Sequence, residues 1–156
     1  MCGILGCNFN ANVDFKKITS MMQNRGPDFC DTKNINNNFF GHTRLSIIDL
    51  DAEANQPMLF DEILIVFNGE IYNYEDLKIS EELDCKTASD TEVIIRLYQK
   101  YGYDFLNKLN GMFSFCIYDI KNEIYFCARD RYGKKPFFYH FVNNKFIFSS
   151  AIKPII

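Results

Sequence analysis

Cys2 becomes the amino terminus once an initiator methionine is trimmed, so one residue then carries both a thiol and a free α-amine. The thiol is intrinsically nucleophilic. An α-amine titrating at roughly 7.7–8.0 can take up and return a proton near neutral pH. Cys2 thus has the two parts of an acyl-transfer nucleophile, the attacking sulfur and its base. The plainer alternative is a small apolar residue opening a buried strand, since cysteine buries readily and the chain has six of them.

Three other places combine polar groups with a backbone suited to holding a ligand. Asn68-Gly69-Glu70 follows the apolar run 62–67. Glycine lets a ligand approach the backbone closely, and an Asn amide beside a Gly N–H suits a developing oxyanion. Asn-Gly is equally the commonest two-residue hairpin turn. Arg44 interrupts an apolar segment, His42-Thr43-Arg44-Leu45-Ser46-Ile47-Ile48. Its planar fork matches a carboxylate if it points inward, and it is unremarkable if it points to solvent from an edge strand. Asp90 stands at a helix start, where the helix dipole favours a carboxylate. Arg44 with Glu70 and Asp90 would bracket an amino acid, one cation for its carboxylate and two anions for its ammonium.

The elements that must position these residues follow from periodicity and punctuation. Residues 2–9 read as a buried strand. Phe15, Ile18, Met21 and Met22 recur at helical spacing over 14–24, with Asp14 placed to cap, until Arg25-Gly26-Pro27-Asp28 breaks the helix. The polar run 34–38 reads as a surface turn, and 39–49 and 62–67 as strands. Ser89 and Glu92 form a capping-box pattern before the stripe Val93, Ile94, Leu97 and Tyr98, and Tyr101-Gly102 closes that helix. The last third reads as strands over 112–118, 123–128, 136–142 and 145–148, turned at Lys121-Asn122 and Asn143-Asn144. Consecutive hairpins with two helices make an α+β domain of antiparallel sheets.

Bulk properties bound the function classes. The 156 residues suit one domain. A net charge of −3 gives no electrostatic reason to expect nucleic acid or an anionic membrane. The pairs Lys16-Lys17 and Lys134-Lys135 read as solvated faces. There is no C-x-x-C and only two histidines, which argues against a structural metal site. With no secretory signal and no run near the ~20 apolar residues of a membrane span, a cytoplasmic protein with reduced thiols is expected.

Eight short motifs occur in order: Cys2-Gly3-Ile4-Leu5-Gly6, Arg25-Gly26-Pro27-Asp28, Arg44-Leu45-Ser46-Ile47-Ile48-Asp49, Asn55-Gln56-Pro57, Asn68-Gly69-Glu70-Ile71-Tyr72-Asn73, Ser89-Asp90-Thr91-Glu92, Gly111-Met112-Phe113 and Arg129-Asp130-Arg131-Tyr132-Gly133. Together they resemble the glutaminase domain of glutamine-hydrolysing asparagine synthetases, a class II glutamine amidotransferase of the N-terminal nucleophile (Ntn) hydrolase type. The resemblance covers nearly the whole chain. It implies a four-layer αββα sandwich that hydrolyses L-glutamine to L-glutamate and ammonia. By position it implies Cys2 as nucleophile, Asn68 and Gly69 as oxyanion hole, and Arg44 on the glutamine α-carboxylate. It further implies Glu70 and Asp90 as residues that bind the α-ammonium or orient the substrate, and the backbone of Leu45, Ser46, Ile47 and Ile48 along the pocket. The Arg25 loop resembles a flap over bound glutamine, and its Arg-Gly-Pro-Asp form points to the asparagine synthetase branch.

What the resemblance implies beyond these residues is an ATP-dependent synthetase domain, in cis or in trans, that would use the ammonia to make asparagine from aspartate. ATP and Mg are expected only there, with no cofactor or metal in this domain, and a homodimer is left open. Two positions depart from the family pattern: Asp31 just past the flap loop, where glycine is usual, and Ala151, where glutamate is usual. They leave two alternatives standing, a non-catalytic glutamine-binding or docking module, or a glutaminase domain serving another acceptor such as a sugar.

Overall fold

The computed structural model describes residues 1–10 and 14–156. Two antiparallel sheets face each other. The first has strand order β2-β3-β1-β9-β8, from β1 (Gly3–Cys7), β2 (Phe29–Ile35), β3 (Asn38–Arg44), β8 (Phe138–Val142) and β9 (Lys145–Ser149). The second has order β4-β5-β6-β7, from β4 (Met58–Phe60), β5 (Ile63–Ile71), β6 (Gly111–Asp119) and β7 (Ile124–Arg129). Helix α1 (Phe15–Ser20) covers the outer face of the first sheet, and α2 (Tyr74–Ser80) with α3 (Asp90–Tyr101) covers that of the second. This is the expected αββα sandwich.

The two-residue period of a strand sorts its side chains between layers. In β1 and β3, Ile4 and Phe40 point between the sheets, where they meet Leu64, Val66, Cys116, Tyr118 and Phe148. Their odd-numbered neighbours Leu5, Cys7 and Phe39 pack under α1 with Phe15 and Ile18. In β5, Ile63, Ile65, Phe67 and Ile71 turn toward the α2–α3 layer. The same parity carries Cys2, His42, Arg44, Asn68 and Glu70 to the inter-sheet side, so one end of the sandwich collects the polar residues that interrupt otherwise apolar strands.

Several sequence-based expectations need correction. The helix expected over 14–24 stops at Ser20, although Asp14 does cap it by accepting from Lys17 N. Thr19 and Ser20 hydroxyls donate to the carbonyls of Phe15 and Lys17, and Met21 and Met22 close three-residue turns, tightening the chain into a 3₁₀ segment at Gln23–Arg25. The run 34–38 is no broad surface turn. Only Asn36 and Asn37 turn, both at positive φ, and they join β2 to β3. Strand β2 itself escapes sequence reading because its residues are mostly polar and only partly buried; β4 and α2 are likewise unanticipated. The strand expected over 39–49 ends at Arg44, and residues 45–51 wrap around that side chain. The 62–67 run extends through Asn68-Gly69-Glu70 to Ile71, so Asn-Gly here lies inside a strand and makes no hairpin turn.

The capping box is also not formed as expected. Ser89 Oγ accepts from Thr91 N, but the Glu92 carboxylate takes the N–H groups of Lys86 and Thr87 together with the Thr87 hydroxyl. Fully buried Glu92 also pairs with Arg96, which braces the loop entering α3.

Candidate active site

The end of the sandwich where β1 begins opens into a cleft. It is lined by Cys2, by Arg44 with Leu45, Ile47 and Ile48 of the loop that follows, by Asn68, Gly69 and Glu70 of β5, and by Asp90 of α3. Every sequence-predicted site residue but Ser46 lines it. The Ser46 N–H instead donates to Asp28 Oδ2 (2.8 Å), tying the 45–51 loop to the Arg25-Gly26-Pro27-Asp28 loop.

Cys2 is held from two sides. Its sulfur lies 3.4 Å from Leu45 N, which donates to it, and its carbonyl accepts from Arg25 Nε at 3.1 Å. Burial pushes the thiol pKa up, opposed by the Leu45 N–H, by the positive chain terminus and by Arg44. Burial thus favours the neutral thiol, and a nucleophilic role for this sulfur would call for a base.

Gly26 anchors the Arg25 loop: a side chain there would sit 2.4 Å from the Thr43 backbone. Asp28 N also donates to Arg44 O (3.0 Å). Asp31 lies beyond this loop, in β2 opposite His42, and exposed. It does not line the cleft, and neither does Ala151, which packs with the α1 cluster.

The strand pairing leaves one backbone donor of β5 at the cleft without an acceptor among the described residues. Ile120 N donates to Glu62 O, so the even-numbered residues of β5 exchange bonds with β6, while the odd-numbered ones direct N–H and C=O to the opposite edge. Ile63 and Ile65 meet β4 there. Beyond β4, Phe67 N donates to Gln56 Oε1 (2.6 Å), and Ile71 N to Asp90 Oδ2 (3.0 Å). The Gly69 N–H between them has no acceptor among the described residues and lies at the cleft. Position 69 must be glycine for a separate reason: a Cβ would fall 2.4 Å from Met112 O and 2.8 Å from Phe113 Cα.

Beside it, Asn68 is 1% exposed, and neither Nδ2 nor Oδ1 has a hydrogen-bond partner among the described residues. A buried amide without partners costs about 1–3 kcal/mol. The fold holds this one at the cleft with Cys2.

Charge completes the site. Burial, and then the nearby Glu70 carboxylate, raise the Asp90 pKa to about 6 against the Ile71 and Thr91 N–H groups. Arg44, 5% exposed, points inward and is not an outward edge residue. Its guanidinium gathers Asp51 O (3.0 Å), Asn55 Oδ1 (2.6 Å), Ile48 O (3.4 Å) and Asp49 O. This is why the strand breaks at residue 44.

Sequence reading missed Gln56, His42 and Lys135. Lys135 was expected on a solvated face but is 6% exposed and lines the cleft. Asp130 accepts from the N–H groups of Phe113, Tyr132, Lys134 and Lys135, folding the loop back so that Lys135 turns inward. Burial lowers its pKa, while Cys2 and Glu70 favour its charged form. Among the described residues no group of three His, Cys, Asp or Glu side chains is placed to hold a metal ion. No helix among them is long and apolar enough to cross a membrane.

The sequence matches the family model described as glutamine amidotransferase domain over residues 1–156. The chain belongs to this family. Its curated relatives include a protein named putative asparagine synthetase [glutamine-hydrolyzing] 2 from Methanocaldococcus jannaschii, 41% identical over all of this chain and 35% of its own length. Asparagine synthetase [glutamine-hydrolyzing] 3 of Bacillus subtilis is 38% identical over all of this chain and 27% of its own length. The amidotransferase domain thus spans about a third or less of these relatives. Among solved structures, the glutamine phosphoribosylpyrophosphate amidotransferase from B. subtilis superposes with a TM-score of 0.82 over 99% of this chain and 43% of its own, at 20% identity. The class II amidotransferase fold is common to both.

Proposed function

We propose that this amidotransferase domain hydrolyses free L-glutamine through a thioester on Cys2. With Met1 removed, the Cys2 amine takes the thiol proton as sulfur attacks the side-chain amide carbon. The C–N bond breaks with that proton passing to the leaving nitrogen, and ammonia departs. Water then attacks the thioester, its proton returning through the amine to sulfur, and L-glutamate leaves. The negative oxygen that forms at each attack is met by Asn68 Nδ2 and the Gly69 N–H.

One observation carries this reading above others: the Asn68 amide is buried without partners at the cleft that also holds the Cys2 thiol. Such a group is costly to the fold and suited to a charge that develops only in the transition state.

Glu70 and Asp90 take the α-ammonium, and the backbone at 45–48 lines the pocket. For Arg44 to take the α-carboxylate, it must exchange some of its loop carbonyls for carboxylate oxygens. Glutamine binding is thereby coupled to movement of residues 45–51. Both departures from the family pattern, Asp31 and Ala151, lie away from the cleft, which favours an enzyme over a non-catalytic glutamine-binding module.

In this proposal the ammonia is made for an ATP-dependent synthetase domain that converts aspartate to asparagine; the support is that the relatives are named asparagine synthetase [glutamine-hydrolyzing] and are longer than this chain. The ATP and magnesium of that synthesis act in the other domain, and no residue of this cleft is assigned to them.

The test is glutamate release from L-glutamine by the chain with Met1 removed, confirmed by intact mass. Cys2→Ala abolishes it, and so does retention of Met1, which turns the amine into an amide without basicity. Full turnover by either form refutes the mechanism.

A further inference from the structure

Phe67 immediately precedes the two oxyanion donors, and it lies where β5 has outrun β4. Its N–H and C=O face the edge that a neighbouring strand would fill, yet β4 begins only at Met58. Two side chains take the strand's place. Gln56 Oε1 accepts the Phe67 N–H at 2.6 Å and, through its Nε2, donates to Thr91 Oγ1 at 3.2 Å. From the opposite sheet, His42 Nε2 reaches the Phe67 carbonyl at 3.1 Å.

That carbonyl belongs to the peptide unit whose nitrogen is Asn68 N. Its plane sets where the Asn68 side chain and, one residue on, the Gly69 N–H point.

The histidine is a poor choice for stability alone. It is fully buried at a strand position flanked by the apolar inter-sheet layer. A carbonyl partner demands the Nε2–H tautomer, which leaves Nδ1 a bare acceptor, and Nδ1 is buried with no partner among the described residues. An aliphatic side chain would fill the same space without an orphaned nitrogen, giving up only the hydrogen bond to the Phe67 carbonyl. Burial also drives the ring pKa down to about 3, so the ring is neutral and donates one hydrogen bond, to Phe67.

We infer that His42 is a positioning residue for catalysis: its Nε2–H fixes the Phe67–Asn68 peptide plane and Gln56, on the Phe67 N–H, fixes the plane before it, so that the Asn68 side chain and, one peptide on, the Gly69 N–H present their donors. The inference rests on the reading of those two residues as the oxyanion hole. His42 acts on the transition state through that peptide and touches no substrate atom. It therefore affects kcat and leaves ground-state glutamine binding nearly alone.

Glutaminase kinetics and thermal unfolding of the processed chain test this. His42→Leu should lower kcat about 10–100-fold, the scale of a misplaced transition-state donor. KM for glutamine should stay within about threefold, and the melting midpoint should shift by no more than about 4 °C. His42→Gln, whose Nε2 amide can donate to the same carbonyl, should recover at least about tenfold of the lost kcat. Gln56→Met frees the other half of Phe67 and should give the same kcat signature, so it replaces His42→Leu should that variant not fold.

An active wild type whose His42→Leu variant keeps kcat within about twofold overturns the inference alone. So does a His42→Gln no better than His42→Leu when both are folded. A wild-type chain that releases no glutamate overturns the glutaminase reading and this inference with it.

Discussion

Asn68→Ala should separate stability from activity in opposite directions. Both polar atoms of the Asn68 side chain are buried and unpartnered among the described residues, and the residue is 1% exposed. Truncation therefore strands no partner and relieves a desolvation cost of about 1–3 kcal/mol. Against that stands the lost packing of a few atoms beside an open cleft, about 1 kcal/mol. The balance is a gain of about 0–2 kcal/mol, which at this chain length raises the melting midpoint by up to roughly 8 °C. Losing one oxyanion donor should meanwhile cut kcat about 10²–10³-fold, some 2.7–4 kcal/mol of transition-state stabilisation.

Thermal or urea unfolding gives the first quantity, and initial rates of glutamate release under saturating glutamine give the second. A loss of more than about 2 kcal/mol of stability would show that the amide is a structural hydrogen-bonding group. A kcat within about threefold of wild type would show that it meets no developing charge. Either result refutes the assignment.

Two further outcomes follow from the electrostatics of the cleft. If Asp90 holds the glutamine ammonium it must be ionised, so below the fall set by the Cys2 amine kcat/KM should fall again as pH drops through about 6, and Asp90→Asn should lower kcat/KM and remove that second inflection. Because this carboxyl is raised above an unfolded value of about 3.9, its effect on stability has the opposite sense. The folded state gains as pH falls through the window from about 6 to about 4, an increment absent in Asp90→Asn. Arg44→Lys should raise KM for glutamine at least about tenfold and lower the melting midpoint. An ammonium has three donors at one point and cannot hold the spread of acceptors from Ile48 to Asn55 that the guanidinium gathers. An unchanged KM would remove Arg44 from glutamine recognition.

Local chemistry was readable from residue order. Cys2 can be both nucleophile and base only because it can become the terminus. The apolar stripe of α3 and the near-continuous apolar runs of β1, β5 and β6 pointed to helices covering buried strands, since such runs demand burial and burial has few solutions. Asn68, Gly69, Glu70, Arg44 and Asp90 stood out as polar residues or glycines in apolar or helix-start contexts, and the fold brought all of them to one cleft.

What residue order left open were questions of direction. Asn-Gly reads as a turn or as strand interior until β6 is known to run alongside and forbid a Cβ at position 69. The free Gly69 N–H depends on which edge of β5 the odd-numbered residues face and on where β4 stops, and neither is encoded within the motif. Glu92 stands in the first turn of α3 but does not close the expected box, because its partners are loop N–H groups that only the packing of residues 85–89 presents. Lys135 and His42 carry no local signal at all. One is turned inward by a carboxylate five residues away, and the other meets its carbonyl across the sandwich, 25 residues along the chain. Such contacts join groups whose neighbours in sequence say nothing of them. The histidine's contact is set by how the two sheets face each other, and so its place against Phe67 could be named only once the sheets were in place.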